Sequence, residues 1–158
     1  MKVLMVCLGN ICRSPLAEGI LKHKFRNHSI EGVVESAGTA AYHAGEPPDE
    51  RSRQIALKHG IDLSGQRARK FTREDFDRYD RIFAMDRSNY KDLVSLARGP
   101  ADRDKVDLIM NTSRPGEDLQ VPDPYYGGPD GFLNVYQMLD RACENIVEQV
   151  KKFQNPES

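Results

Sequence analysis

One short stretch near the N-terminus restricts the fold more than any other part of the chain. Residues 3–8, VLMVCL, form an unbroken apolar run rich in β-formers, which is how a strand covered on both faces of a parallel sheet reads. A loop carrying Gly9 and Asn10 follows. Pro15 then opens a helix with an apolar stripe of Leu16, Ile20, Leu21 and Phe25. A buried strand feeding straight into an amphipathic helix is the first half of a β–α–β unit, and the rest of the chain continues in kind.

Further strands are expected at 32–39 (GVVESAGT), 80–86 (DRIFAMD) and 105–110 (KVDLIM). Between them, 47–60 reads as a helix with proline near its start and Gly60 closing it, and a second helix is expected over 87–98. The last element has the clearest period: Phe132, Val135, Tyr136, Leu139, Cys143, Ile146, Val147, Val150 and Phe153 recur at helical spacing. Strands alternating with helices imply a single-domain α/β fold, a four-stranded parallel sheet flanked by helices on both faces, with right-handed crossovers. Ligands of such sheets bind beyond the carboxyl ends of the strands, where the strand order reverses. The loop after the first strand lies at such an end.

Connections are short apart from two stretches rich in Gly, Pro and Asp, at 97–104 and 111–131. The second is long for a compact domain, and loops of that length are often functional. QRARKFTRE, 66–74, reads as a solvated basic face, and the last few residues as a frayed tail on a domain spanning 1–158.

At 158 residues the chain suits one domain with a real core. Its 23 basic and 24 acidic residues give a net charge of −1, which argues against nucleic acid or an anionic membrane as partner. No apolar stretch has the length of a membrane helix or the flanks of a signal peptide, so a cytoplasmic monomer is expected. Three cysteines are an odd count, with Cys7 and Cys12 too close in sequence to staple a fold.

The loop VCLGNICRSP, 6–15, gathers groups with one electrostatic purpose. Backbone N–H groups at the start of a helix converge on a common centre, and the helix dipole adds positive charge there. Gly9 suits a tight turn, and Asn10 tolerates a left-handed conformation while tying the loop with its side chain. The product is an anion cradle. Arg13 adds a planar fork for two oxygens of a tetrahedral oxyanion. The field that holds an oxyanion also favours a thiolate, and the Ser14 hydroxyl can donate to the sulfur, so Cys7 reads as a nucleophile aimed at a bound phosphate ester. The leaving oxygen then needs a proton. Asp123, in VPDPYYGG, is the candidate acid, with Tyr125 and Tyr126 beside it as possible walls.

Each residue has a plainer reading. A lone Cys7 would be a small buried hydrophobe, and Asp123 before a proline is a turn former. The spacing C-x5-R-S between a strand and a proline-started helix favours the catalytic reading. Cys143 reads as core. His23, His28, His43 and His59 have no metal-ligand spacing with the cysteines and read as surface or capping residues, so no metal or other cofactor is expected. Tyr42, Tyr125 and Tyr126 are either partly buried aromatics or pocket walls.

Together with SAGT (36–39), GEPPD (45–49), AMDRSN (84–89) and DPYYG (123–127), the loop resembles the low-molecular-weight protein tyrosine phosphatase family over nearly the whole chain. The resemblance implies a four-stranded parallel sheet and a two-step hydrolysis without metal. It assigns Cys7 as nucleophile, Arg13 as phosphate and transition-state binder, and Asp123 as acid and then base. It puts Asn10, Ser14 and Ser36 in the network shaping the loop, and Leu8, Ile11, Tyr42, Tyr125 and Tyr126 around the substrate ring. Cys12 matches a cysteine that pairs reversibly with the nucleophile on oxidation. Phosphotyrosine proteins are the implied substrates, with inorganic phosphate or other oxyanions as ligands of the loop. One departure is Gln66, which stands where family members often carry a histidine that supports the loop.

Rival readings are weaker. A thiol-dependent arsenate reductase needs two further relay cysteines, and only Cys143 lies beyond the loop. In phosphoarginine phosphatases a threonine replaces the bulkier Ile11. A binding module without turnover would not need both Cys7 and Asp123, and no G-x4-G-K-[ST] nucleotide loop occurs.

Overall fold

The sheet has four parallel strands, β1 (Lys2–Cys7), β2 (Val33–Gly38), β3 (Arg81–Ala84) and β4 (Val106–Leu108), in the order β2-β1-β3-β4. The structure is a computed structural model that describes residues 1–154 and, of Tyr126, the backbone alone. The expected frayed tail falls on residues 155–158, outside the described residues.

β1 is central, so its side chains alternate between two cores. Val3, Met5 and Cys7 face one, with α1 (Arg13–Asn27), α2 (Glu50–Lys58) and α6 (Gly131–Gln154). Leu4 and Val6 face the other, with Phe76 of α3 (Asp75–Arg78) and Leu93 of α4 (Arg87–Leu96). A fifth helix, α5 (Pro100–Arg103), is a single turn in the 97–104 loop. Burying β1 on both sides explains its unbroken apolar run. The chain leaves β1 for β2 on one side and later returns to pair β3 on the other. The reversal of strand order therefore lies at the end of β1, which is where such sheets bind ligands.

Element ends depart from expectation for local reasons. α1 begins at Arg13, so Pro15 lies inside its first turn, where its missing N–H costs no helical bond. The helix expected at 47–60 starts only at Glu50, because the Asp49 side chain accepts from the Arg51 amide as its cap. It closes as expected: Gly60 has φ +77°, its amide donates to the Leu57 carbonyl and that of Ile61 to Ala56. β3 stops at Ala84, and Asp86 turns away to cap α4, accepting from the Asn89 amide. β4 ends at Leu108 and passes into a 3₁₀ turn, Ile109–Thr112. On α6 the stripe is buried from Val135 to Val150, but Phe153 lies exposed.

The basic stretch 66–74 is not a plain solvated face. Lys70 forms a parallel bridge with Gly38, and Ala68 and Phe71 are buried. Arg69 holds the fully buried Asp75 with both terminal nitrogens, at 2.9 and 3.1 Å. Its charge serves a buried carboxylate rather than solvent.

Candidate active site

Gly9 to Arg13 wrap the end of β1 with their carbonyls turned outward. Cys7 and Leu8 accept from the amides of Thr39 and Ala40, and Ile11 from that of Asp49. The Cys12 carbonyl accepts from the Leu16 amide and the Ser52 hydroxyl. Among the described residues, no amide from Gly9 to Arg13 has a partner. A ring of unpartnered N–H groups at a helix start is a site for an oxyanion.

The sharp turn falls on Asn10, at φ +58°, and not on Gly9. What glycine supplies at position 9 is room: a Cβ there would come within 3.1 Å of the His43 ring. Asn10 is almost fully buried, and its amide nitrogen donates to Ser14 Oγ at 2.8 Å and Ser36 Oγ at 2.9 Å. Its carbonyl oxygen accepts from the Arg69 amide. Ser14 Oγ thus accepts a hydrogen bond from Asn10, which leaves its own O–H to donate to Cys7 Sγ, 3.0 Å away, or to the more distant Ala37 carbonyl at 3.5 Å. Ser36 donates in turn to the buried Glu18 at 2.6 Å, and Glu18 also accepts from Lys22.

Arg13 is buried at the lip of the loop. Its Nη1 donates to Asp86 at 2.7 Å and to the Val121 carbonyl at 3.0 Å. Among the described residues Nε and Nη2 have no partner, so one edge of the fork is anchored and the other is presented.

Cys7, Arg13 and Asp123 line one cavity of about 110 Å³, with Leu8, Gly9, Ile11, Cys12, Tyr42, His43 and Tyr125 as its remaining walls. Asn10, Ser14 and Ser36 are not walls; they stand behind the loop. Tyr42 is 78% and Tyr125 45% exposed, as aromatic posts at a mouth would be. The side chain of Tyr126 lies outside the described residues. Asp123 lines the cavity, and its carboxylate caps the 3₁₀ turn Pro124–Tyr126 by accepting from the Tyr125 amide, as its reading as a turn former expects. Burial pushes the Cys12 thiol up to about 12; the Tyr125 hydroxyl offsets part of this, and the Asp49 charge adds to the rise. Cys143 is sealed in the core, as expected.

Sequence reasoning missed Glu18, Arg69 and Asp86, which hold the loop or its arginine. It read His43 as a surface or capping residue; the ring, partly exposed, also lies against Gly9 at the mouth. Gln66 donates to the Pro15 carbonyl at 3.0 Å. It supports the start of α1, while Lys22 pairs with Glu18 at 2.6 Å. A larger cavity of about 550 Å³ lies behind the loop, between Glu18, Ser36, Gln66 and Arg69, away from the thiol.

Comparison with known proteins agrees with this geometry. The family described as low molecular weight phosphotyrosine protein phosphatase matches residues 2–155. A curated relative from Schizosaccharomyces pombe, a low molecular weight phosphotyrosine protein phosphatase, is 39% identical over 94% of this chain and 96% of its own. A solved protein tyrosine phosphatase from Entamoeba histolytica, with Hepes in its active site, superposes with a TM-score of 0.90 at 37% identity, covering 98% of this chain and 99% of that one. A Drosophila arginine phosphatase superposes with a TM-score of 0.88 at 35% identity, covering 96% and 98%. With a match along nearly its whole length and a fold shared from end to end, the chain belongs to the low molecular weight phosphotyrosine protein phosphatase family of hydrolases.

Proposed function

We propose that the protein hydrolyses phosphotyrosine and small aryl phosphates through a phospho-cysteine intermediate, without a metal ion. The observation that carries this reading is the buried Cys7 thiol beneath a ring of unpartnered amides, with the free edge of Arg13 beside it. A phosphoryl group seated there has its equatorial oxygens bound by the amides and by Arg13 Nε and Nη2, where charge develops in the transition state. Cys7 Sγ attacks phosphorus, forming the S–P bond as the O–P bond breaks, and Asp123 gives its proton to the departing oxygen. Water then attacks the phospho-cysteine, Asp123 takes back a proton, and the thiolate and inorganic phosphate are released.

Substrate choice follows from the walls. The thiol lies at the base of a narrow cavity ringed by Leu8, Ile11, Tyr42 and Tyr125, which suits a flat aryl group and leaves a phosphoserine too short to reach. The likeness to an arginine phosphatase makes phosphoarginine the competing substrate, and Ile11 is the wall that disfavours that smaller, polar group. Phosphotyrosine proteins are therefore the proposed partners. One chain supplies every wall, so a monomer suffices. Among the described residues no helix is long and apolar enough to cross a membrane, and we place the activity in the cytoplasm.

The test is hydrolysis of p-nitrophenyl phosphate in EDTA, beside phosphotyrosine, phosphoserine and phosphoarginine peptides. Turnover preferring phosphotyrosine, abolished in Cys7→Ser while phosphate still binds, is expected. Turnover confined to phosphoarginine, or surviving in Cys7→Ser, overturns the reading.

A further inference from the structure

Tyr125 is fixed on three sides by residues from elsewhere in the chain. Its hydroxyl donates to Asp49 Oδ2 at 2.7 Å. The Arg51 guanidinium lies over its ring, 4.5 Å from the centroid, and over that of Phe132 at 4.7 Å. Phe132 meets the Tyr125 ring edge-on at 6.1 Å. The Tyr125 amide in turn donates to Asp123 Oδ1 at 3.0 Å. Asp49 is itself anchored to the phosphate loop, since its amide donates to the Ile11 carbonyl at 2.7 Å. An unbroken path of short bonds thus runs from the phosphate loop through Asp49 and Tyr125 to the carboxylate of Asp123.

We propose that Asp49 is a positioning residue for the acid Asp123, acting through the Tyr125 hydroxyl and fixing the acid loop in register with the phosphate loop. The proposal rests on the reading of Asp123 as the proton donor. Both partners hold the protonation states the clasp requires. Burial, then the contacts with Cys12 and Asp49, push the Tyr125 phenol up, so it keeps the proton it donates. Burial pushes the Asp49 carboxyl up, but the hydrogen bonds from Tyr125 and Arg51 outweigh it and hold Asp49 below its ordinary value, ionised. Among the described residues the Asp49 side chain bonds Tyr125 and Arg51 alone, while its tie to the phosphate loop is through its backbone amide. Loss of the carboxylate is therefore expected to weigh most on the step that needs the acid.

The test compares kcat/KM for p-nitrophenyl phosphate, a good leaving group, and phenyl phosphate, a poor one, in Tyr125→Phe, Asp49→Ala, the double variant and Asp123→Ala. Tyr125→Phe keeps the ring and the helix cap, so it guards against misfolding in Asp49→Ala. Both single variants are expected to lose roughly tenfold on phenyl phosphate relative to p-nitrophenyl phosphate, the scale of one charged hydrogen bond. Inhibition by inorganic phosphate should not change. The double variant should be no worse than either single, because both break one link, and Asp49→Asn, which still accepts from Tyr125, should recover most of the loss. Equal losses on both substrates, or additive losses in the double variant, overturn the proposal. Asp123→Ala separates the two failures. If it too shows no leaving-group dependence, the acid assignment falls and the clasp with it. If it shows that dependence and the clasp variants do not, the clasp alone falls.

Discussion

The phosphate loop and the acid loop meet at one cavity but are held in opposite ways. The phosphate loop is fixed from behind, where the almost fully buried Asn10 joins Ser14, Ser36 and the Arg69 backbone. The acid loop is fixed from its rim by groups in contact with solvent: Asp49, Arg51 and the ring of Phe132. The difference fits what each does in the proposed reaction. A cradle for an anion gains most from dipoles that cannot relax, because preorganised donors need no reorganisation as charge develops. A proton donor must hold its place against a substrate that enters and leaves beside it, and contacts at the rim can yield without disturbing the core.

Breaking the inner network should have the largest effect. Asn10→Ala leaves the Arg69 amide without its partner and takes one hydrogen bond each from Ser14 and Ser36, which keep Cys7 and Glu18, at a cost of about 1 kcal/mol per bond lost. It also removes the residue that adopts φ +58° with a side chain tying the turn. Loss of both stability and phosphate binding is expected, by thermal melting and by inhibition with inorganic phosphate. A variant that keeps its phosphate affinity would show that the network is dispensable.

An intermediate effect should come from Gly131. A Cβ there would lie 2.6 Å from the Pro124 carbonyl oxygen, backbone that cannot simply swing aside. Gly131→Ala should therefore push the acid loop off α6, lowering turnover of poor leaving groups while phosphate still binds. Weakened phosphate binding in that variant would mean the two loops are less independent than their supports suggest.

Acid should produce the smallest effect and separate the loops most finely. The Asp49 carboxyl is held below its ordinary value in the folded protein. Its contribution is therefore fully present above the unfolded carboxylate value, about 3.9, and is lost as pH falls through the lower folded one. Hydrogen exchange on either side of that window should rise at residues 123–131 before it rises at 8–14. Simultaneous loosening would contradict the comparison.

The part of the site most legible in the sequence was the part contiguous in it. Cys7, Asn10, Arg13 and Ser14 stand within one loop, and their chemistry declares itself by residue type and spacing. Their partners come from afar. Asp86 pairs with Arg13 across 73 positions and the Val121 carbonyl across 108, and a backbone carbonyl has no side-chain signature at all. Arg69 was hidden by its company: four basic residues between positions 67 and 73 read as a solvated face, and only the fold shows one of them turned inward onto Asp75. Asp49 was visible only as the last residue of GEPPD, within the stretch read as a helix, because its tie to Tyr125 spans 76 positions. Strand and helix existence came from periodicity, while their ends were set by caps such as Asp49 and Asp86 that pattern alone does not weigh.

The position of β1 at the centre of an all-parallel sheet governs when this protein becomes an enzyme. Its pairing with β3 waits for residues 81–84, the anchor for Arg13 waits for Asp86 and Val121, and α6, which covers the same core as α1, follows all of these in chain order. Domains generally fold as units, and non-local parallel pairings form slowly. A nascent chain thus carries Cys7 well before the residues that complete its surroundings are made, and the loop gains its full support only once Asp86, Val121 and α6 have followed it.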